Sequence, residues 1–565
     1  MTTDPLRRIS TRATPQSRPA DPRQVPNSAG GYAFTVDPVA RLRRFLVLGT
    51  AGGTYHVGER ELTLDNAQVV VDLASSDHAT LVATLLEVSE AGRVPRQEPT
   101  LFALAVACST GTAVERRAAL DVLPRVARTA TMLFTFLNYV QQFRGWGRGL
   151  RRGVSAWYLD QDVADVAFQA VKYRQRVGWT HRDVLRKAHP ERRLVDGSID
   201  ARRSLFDWIC GRGAFLGHGP EMTVRPPVPE LRVVEGYERL RRTTGVRSAA
   251  ELVRAYRLPW ETLPDHLVNR REIWEALLDN GLPLTALTRQ LPRLTRLGLL
   301  LDVEGSGGRT AQVVARLTDA DALRRARVHP LAQLLAQRTY ASGRSERGTS
   351  TWTPSRRVID ALDASFYAAF GSVEPTGRRL LLALDVSGSM ARSYVARTSL
   401  SAREASGALA LVTLAREPSC AVVGFTGAGP ARHTWAGQDF RETPAVSPLT
   451  LSSRQRLDDA VRYVRGLSFG PTDCAQPMLY ALEHGLEVDA FVIYTDSESW
   501  VGSVHPHQAL RWYRERTGIP ARLVVVALTA TEFTVADPDD PRSLDVVGLD
   551  AATPQLISDF VRGDL

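Results

Sequence analysis

Two carboxylates and three hydroxyls in the C-terminal third of this chain could hold a metal ion. Asp385, Ser387 and Ser389 lie in the run Asp385-Val386-Ser387-Gly388-Ser389, Thr472 precedes Asp473, and Asp496 follows Thr495. A small hard cation such as Mg²⁺ takes oxygen ligands in near-octahedral geometry and keeps positions for water or an incoming carboxylate. Two acids leave a divalent ion close to neutral, which favours accepting a partner's carboxylate over activating water for attack. The chemistry expected here is docking. No Ser or Cys nucleophile sits in a recognisable elbow. The glycines of Gly49-Thr50-Ala51-Gly52-Gly53 lack the Gly-Lys-Ser/Thr of a phosphate loop, and the acidic run 536–541 lacks the Gly and Glu of a calcium loop. No enzyme is expected.

A second group is cationic. Phe143-Arg144-Gly145-Trp146-Gly147-Arg148 continues to Arg151 and Arg152; then come Lys172, Arg176 and His181, followed by Arg186, Lys187 and His189. Guanidinium and ammonium groups on one surface suit phosphate ligation, and neighbouring rings can stack on unpaired bases. On a helix running 162–176, Lys172 and Arg176 are four apart and share a face. Trp146 and Trp179 read either as stacking platforms or as core anchors.

The elements that must position these residues fall into two classes. Beyond residue 377, apolar strands at 380–386, 421–425, 490–494 and 522–528 alternate with helices at 402–415, 454–464, 476–484, 507–516 and 554–561. That alternation predicts a doubly wound, Rossmann-like α/β domain over 378–565, its mostly parallel sheet covered on both faces. Ligands of such sheets gather outside the carboxyl ends of the strands, where Asp385 and Asp496 fall. Residues 28–370 read as helix after helix, including 64–73, 98–106, 113–126, 129–143, 249–256, 273–279, 284–297 and 330–340. Helices that cannot bury their faces alone predict a solenoid of HEAT-like pairs, with an all-α globule as the competing reading. Residues 371–377 form the linker, and the proline- and arginine-rich stretch 1–27 reads as a disordered basic tail.

Charge divides along the same line. The chain carries +10 overall; from Thr376 onward, 18 arginines against 22 acids leave −4, so the rest carries +14. A basic body beside a mildly acidic domain points to a polyanionic partner for the first, although a solvated arginine-rich surface has the same composition. No apolar run of about 18 residues predicts a membrane span. Four cysteines without C-x-x-C spacing fit a reducing, cytoplasmic setting.

The carboxylate and hydroxyl set resembles the metal-ion-dependent adhesion site of a von Willebrand factor A-type domain, with Gly470-Pro471-Thr472-Asp473 where Gly-Gly-Thr-Asp is commoner. Nearly the whole chain resembles the Ro autoantigen family of TROVE-domain proteins. The resemblance runs through Asn27-Ser28-Ala29-Gly30-Gly31, Arg43-Arg44-Phe45-Leu46-Val47-Leu48-Gly49 and Gln97-Glu98-Pro99. It continues in Lys172-Tyr173-x-Gln175-Arg176-x-Gly178-Trp179-Thr180-His181, Val373-Glu374-Pro375-Thr376-Gly377, Thr472-Asp473-Cys474 and Tyr494-Thr495-Asp496.

The resemblance implies a monomeric α-helical ring of HEAT-like repeats closed by the A-type domain. It also implies a basic outer surface for Y RNA or Y-like RNA, and a central hole for the single-stranded 3′ ends of misfolded RNA. Polynucleotide phosphorylase, an exoribonuclease tethered through the Y RNA, is the implied partner; no membrane and no DNA specificity are implied. Lys172, Arg176 and His189 match the family's RNA-contacting positions, His189 in a less typical context (Arg186-Lys187-Ala188-His189-Pro190). Asp385, Ser387, Ser389, Thr472 and Asp496 match the metal site. Arg148, Arg151, His181, Arg186 and Lys187 join the RNA set on local charge alone. The alternative is a metal-dependent protein–protein adaptor that binds no RNA.

Overall fold

The structure is a computed structural model of the 565-residue chain. It describes all residues except 1–12, 51–53, 55, 191–200, 212–227, 303–306, 347, 372, 397, 428–444 and 468–469.

The apolar runs of the C-terminal third form the strands of one six-stranded sheet. From one edge to the other its order is Ser543–Val547, Arg522–Ala527, Ala490–Thr495, Leu380–Asp385, Cys420–Phe425 and Val446–Pro448. Every pairing is parallel except the last, an antiparallel edge. Leu380–Asp385 is buried at every position because both faces are covered. Its side chains alternate between two cores. Leu381 and Ala383 pack with Met478, Leu510 and Tyr513 of the helices Gln476–Glu483 and Pro506–Thr517. Leu380, Leu382 and Leu384 join a core that runs through helix Ala402–Leu414 into the helical body. The two halves of the chain therefore share one apolar interior.

The helical body extends from Pro38–Leu48 to Arg356–Ala368, its helices packing on near neighbours in sequence and on helices a few elements away, as Glu98–Ala107 does on Ala130–Phe143. Its two ends meet. Arg327 Nε donates to the Glu90 carbonyl (2.7 Å), and His329 shares a 3.1 Å bond with the Arg93 carbonyl. Arg93 in turn grips Asp550 of the A-type domain through Nε (2.8 Å) and Nη2 (2.5 Å). Buried Arg44 bonds Asp545 (2.6 Å) and the carbonyls of Thr531 and Phe533, while Asp363 accepts the Leu457 amide at the far side. The A-type domain thus closes a ring. Three cavities, of about 690, 1070 and 330 Å³, adjoin one another at Arg96, which borders all three.

Several expectations shift. The run at 113–126 is two helices, Ala113–Asp121 and Leu123–Val126, with Pro124 starting the second. The helix expected to reach 176 stops at Lys172, with Tyr173 as its cap. Gln175–Arg176 then pairs with Trp179–Thr180 in a tight hairpin whose turn, Val177 (φ 44°) and Gly178 (φ 81°), is left-handed at both positions. Lys172 and Arg176 therefore do not share a helix face. Within the expected linker, Thr376 donates through its amide and hydroxyl to Glu417.

Residues 13–27, expected to be disordered, form a strap on the A-type domain; residues 1–12 lie outside the described residues. Strand Val25–Pro26 pairs with Tyr32–Thr35, which pairs with Phe533–Thr534. Arg23 sits among Asp21, Asp537 and Asp539, giving the acidic run at 536–541 a structural role.

Candidate metal centre and nucleic-acid interface

Chain order sets the position of the acidic cluster. After Leu380–Asp385 the chain builds two strands on one side, then returns to build three on the other. The resulting switch point lies between Leu380–Asp385 and Ala490–Thr495, and both strands deliver a carboxylate at their ends. Asp385, Ser387, Ser389, Thr472 and Asp496 are all buried, none more than 4% exposed.

Asp385 Oδ1 accepts the Ser387 amide (2.9 Å), and Oδ2 accepts the hydroxyl of Thr495 (2.7 Å). The Ser387 and Ser389 hydroxyls lie 3.0 Å apart. Asp496 accepts the Glu498 amide (3.0 Å) and a bond from Ser389. Burial and the neighbouring Asp496 push the Asp385 carboxyl up to about 7, and burial raises Asp496. Among the described residues no three His, Cys, Asp or Glu side chains gather as a metal cage, so any ion held here would rest on two carboxylates together with hydroxyls and water. Two buried acids beside the Ser387 and Ser389 hydroxyls, with buried Thr472 on the adjoining loop whose Gly470 carbonyl accepts the Gly388 amide, form an all-oxygen, doubly acidic donor set that fits a hard divalent cation.

Sequence reasoning missed the residues that hold this set in place. Arg403 donates to the carbonyls of Val386 (2.5 Å) and Ser387 (2.9 Å), fixing the first ligand loop. The Gln16 amide clamps the other two: its nitrogen donates to Asp473 Oδ1 (2.6 Å) and its oxygen accepts from the Ser499 hydroxyl (2.5 Å), which also accepts the Cys474 amide. Asn27 donates to the Ser499 carbonyl (2.8 Å). Gly31 is required there, because a Cβ would stand 2.1 Å from that same oxygen. Glu498 is a further buried acid, pushed up to about 8 by burial and by Asp496. Thr495 was legible beside Asp496; Gln16 and Arg403 carry no local signal of this role.

The cationic set is brought together only in part. Helix Arg148–Leu159 packs against His181–Ala188, and Trp146 lies 6.0 Å from Trp179 of the hairpin, with Lys187 5.8 Å over its ring. Trp179 is buried, which settles it as a core anchor; Trp146 is half-buried. Arg148, Arg151, Arg176, Arg186, Lys187 and His189 are exposed around this hub. Lys172 is half-buried, 3.7 Å from Glu261, and Lys172 and Arg176 both lie over the Tyr173 ring (5.1 and 5.7 Å).

His181 does not belong to the set. It is buried, its Nδ1 shares a 2.9 Å bond with the Tyr158 hydroxyl, its ring packs on Phe134, and burial lowers its pKa to about 4. Thr180 and Asp183 cap each other's backbone amides, starting a helix whose first side chain turns inward.

Comparison with known proteins agrees with this architecture. The family model of the TROVE domain matches residues 25–211 and 256–339, and that of the Ro60 vWA domain matches 379–561. The chain is 42% identical over 565 residues to RNA-binding protein RO60 of Deinococcus radiodurans, covering 99% of both. It is 33% identical to RNA-binding protein RO60 of Caenorhabditis elegans, covering 96% of this chain and 90% of that one. The crystal structure of the Deinococcus radiodurans RO (RSR) protein superposes with a TM-score of 0.65 at 39% identity, over 94% of this chain and 100% of that one. A helical ring sealed by an A-type domain, with these matches along nearly its whole length, belongs to the Ro60 family.

Proposed function

We propose that this protein binds RNA as part of noncoding-RNA quality control, holding Y RNA or a Y-like RNA on its outer surface. The observation that carries this reading is the group of exposed cations around Trp146. Among the described residues, no carboxylate pairs with Arg148, Arg151, Arg176, Arg186 or Lys187, so these charges are available for phosphates. The names of the two RO60 relatives support the same partner class.

The opening at Arg96, lined also by Thr131, Thr135, Arg289 and Arg338, suits a single strand better than a duplex. It would take the 3′ end of a misfolded RNA, with an exoribonuclease, polynucleotide phosphorylase, as the cytoplasmic partner. In the A-type domain, Asp385, Ser387, Ser389, Thr472 and Asp496 would hold a divalent cation, Mg²⁺ by their chemistry. Once bound, the ion supplies a coordination position for a partner's carboxylate. Arg403 and Gln16 keep the ligand loops in register. The role is docking, without catalysis.

Affinity for a hairpin RNA with a 3′ overhang tests the proposal. Lys172→Glu combined with Arg176→Glu should weaken binding by at least about a hundredfold, since two phosphate contacts become repulsions. Unchanged affinity at physiological salt removes the assignment. Protein purified without nuclease and free of nucleic acid would favour the adaptor reading instead.

A further inference from the structure

Three tyrosines in this structure each carry two cations. Tyr173 has Lys172 and Arg176; Tyr237 has Arg174 (5.1 Å) and Arg241 (5.8 Å); Tyr256 has Arg232 (5.5 Å) and Arg239 (5.6 Å). Only the first belongs to the cationic group singled out from the sequence. The other two stand on helices Arg232–Leu240 and Val246–Tyr256, and the TROVE match omits residues 212–255. We infer that this tyrosine-mounted series of arginines is one continuous track, and that its extension onto these two helices grips the sugar-phosphate backbone of a second stretch of bound RNA.

The track is continuous and built. Arg174, at the base of the hairpin, donates to the Tyr237 hydroxyl, and the helix ending at Lys172 packs on Arg232–Leu240. Gly236 lets Tyr256 lie flat against that helix: a Cβ there would stand 2.3 Å from the tyrosine's own Cβ. A guanidinium resting on a ring has already lost rotamer freedom, so less is lost when it meets a phosphate.

The charge balance favours an anion. Residues 229–257 hold seven arginines against four glutamates. Glu235 pairs with Arg239 (2.5 Å) and Glu238 with Arg241 (3.5 Å), while Arg232, Arg242, Arg247 and Arg257 are exposed without a carboxylate partner among the described residues. Arg239, Arg242 and Tyr256 border a shallow groove of about 600 Å³, in which Glu251 is the acid present. Arginines gathered on neighbouring helices and a shared groove suit the closely spaced phosphates of a strand.

The inference rests on the RNA reading above, and one experiment separates the two. Affinity is measured against salt for two hairpin RNAs with equal 3′ overhangs, one with a stem of a single helical turn and one of three turns. For the wild type, the longer RNA should show a steeper logarithmic salt dependence, by about 0.9 per added phosphate contact. Arg232→Glu, Arg239→Glu and Arg242→Glu together should erase that difference. The longer RNA should lose at least about tenfold in affinity while the shorter changes by less than about twofold.

Wild-type salt slopes that match for both RNAs, or a triple variant that binds both as wild type does, overturn the inference and leave the RNA reading standing. If Lys172→Glu with Arg176→Glu leaves both RNAs unaffected, the RNA reading itself fails. A second measurement avoids dependence on the triple variant's folding. The longer RNA, carrying photoreactive uridines along its stem, should crosslink to peptides within 229–257 of the unaltered protein. No crosslink there sinks the track, and so does a crosslink that only the shorter RNA gives.

Discussion

The acidic cluster of the A-type domain and the cationic surface around Trp146 were both singled out by residue chemistry, and the fold treats them differently. All five candidate oxygen donors are buried, two of them as carboxylates at the ends of neighbouring strands and the rest on the loops and helix turn beside them. The cations at 148–189 are spread over three helices and a hairpin, and His181 falls into the core. Burial brings fixed geometry with desolvated charge; exposure leaves charge free with little geometry. A metal site needs the first and a phosphate surface the second.

The largest expected effect addresses the buried cluster. At Mg²⁺ concentrations about a hundred times its dissociation constant, the wild type should gain about 2.7 kcal/mol of stability over the chelated form. Asp385→Ala should abolish that gain, read as the Mg²⁺-induced shift in urea midpoint. A variant that keeps the full shift would place the ion elsewhere and end the contrast.

The next effect probes the boundary between the two regions. His181 is neutral when folded, with a pKa lowered by burial to about 4, whereas the unfolded chain protonates near 6.5. The unfolded state therefore binds the extra proton, and stability is lost as pH falls below 6.5 toward 4. Between pH 7 and pH 5 the loss should be roughly 2 kcal/mol. Urea unfolding of the wild type and of His181→Phe at both pH values isolates this share. An equal pH dependence in both proteins would return His181 to the solvent side.

The smallest effect concerns the exposed side. Arg186→Ala should change stability by less than about 0.5 kcal/mol while measurably weakening RNA binding. A larger stability loss would mean that Arg186 has a structural partner.

Legibility followed the range of the interactions involved. Strand Leu380–Asp385 was readable because burial on both faces leaves an unbroken apolar run, and its terminal carboxylate marks the sheet's carboxyl edge. The hairpin at 175–180 was missed because the spacing of Lys172 and Arg176 mimics a helix. Its local signals, Gly178 after Val177 and the capping pair Thr180 and Asp183, compete with that spacing. His181 looked available because charge was counted without a facing direction. The strap was invisible for another reason: Gln16 meets Asp473 across 457 residues, which no local pattern encodes.

That separation also has a consequence for synthesis on the ribosome. At about 5–20 residues per second, Gln16 waits roughly 20–90 s for the loop that receives it. The helices emerge first, and Arg93 lacks Asp550 until the last strand is out. A nascent chain paused before Asp473 would leave Tyr32–Thr35 and Leu380–Asp385 without their later partners, Phe533–Thr534 and Ala490–Thr495, beside an unsealed ring, the stage at which a chaperone or a strand of nucleic acid has side access to the interior.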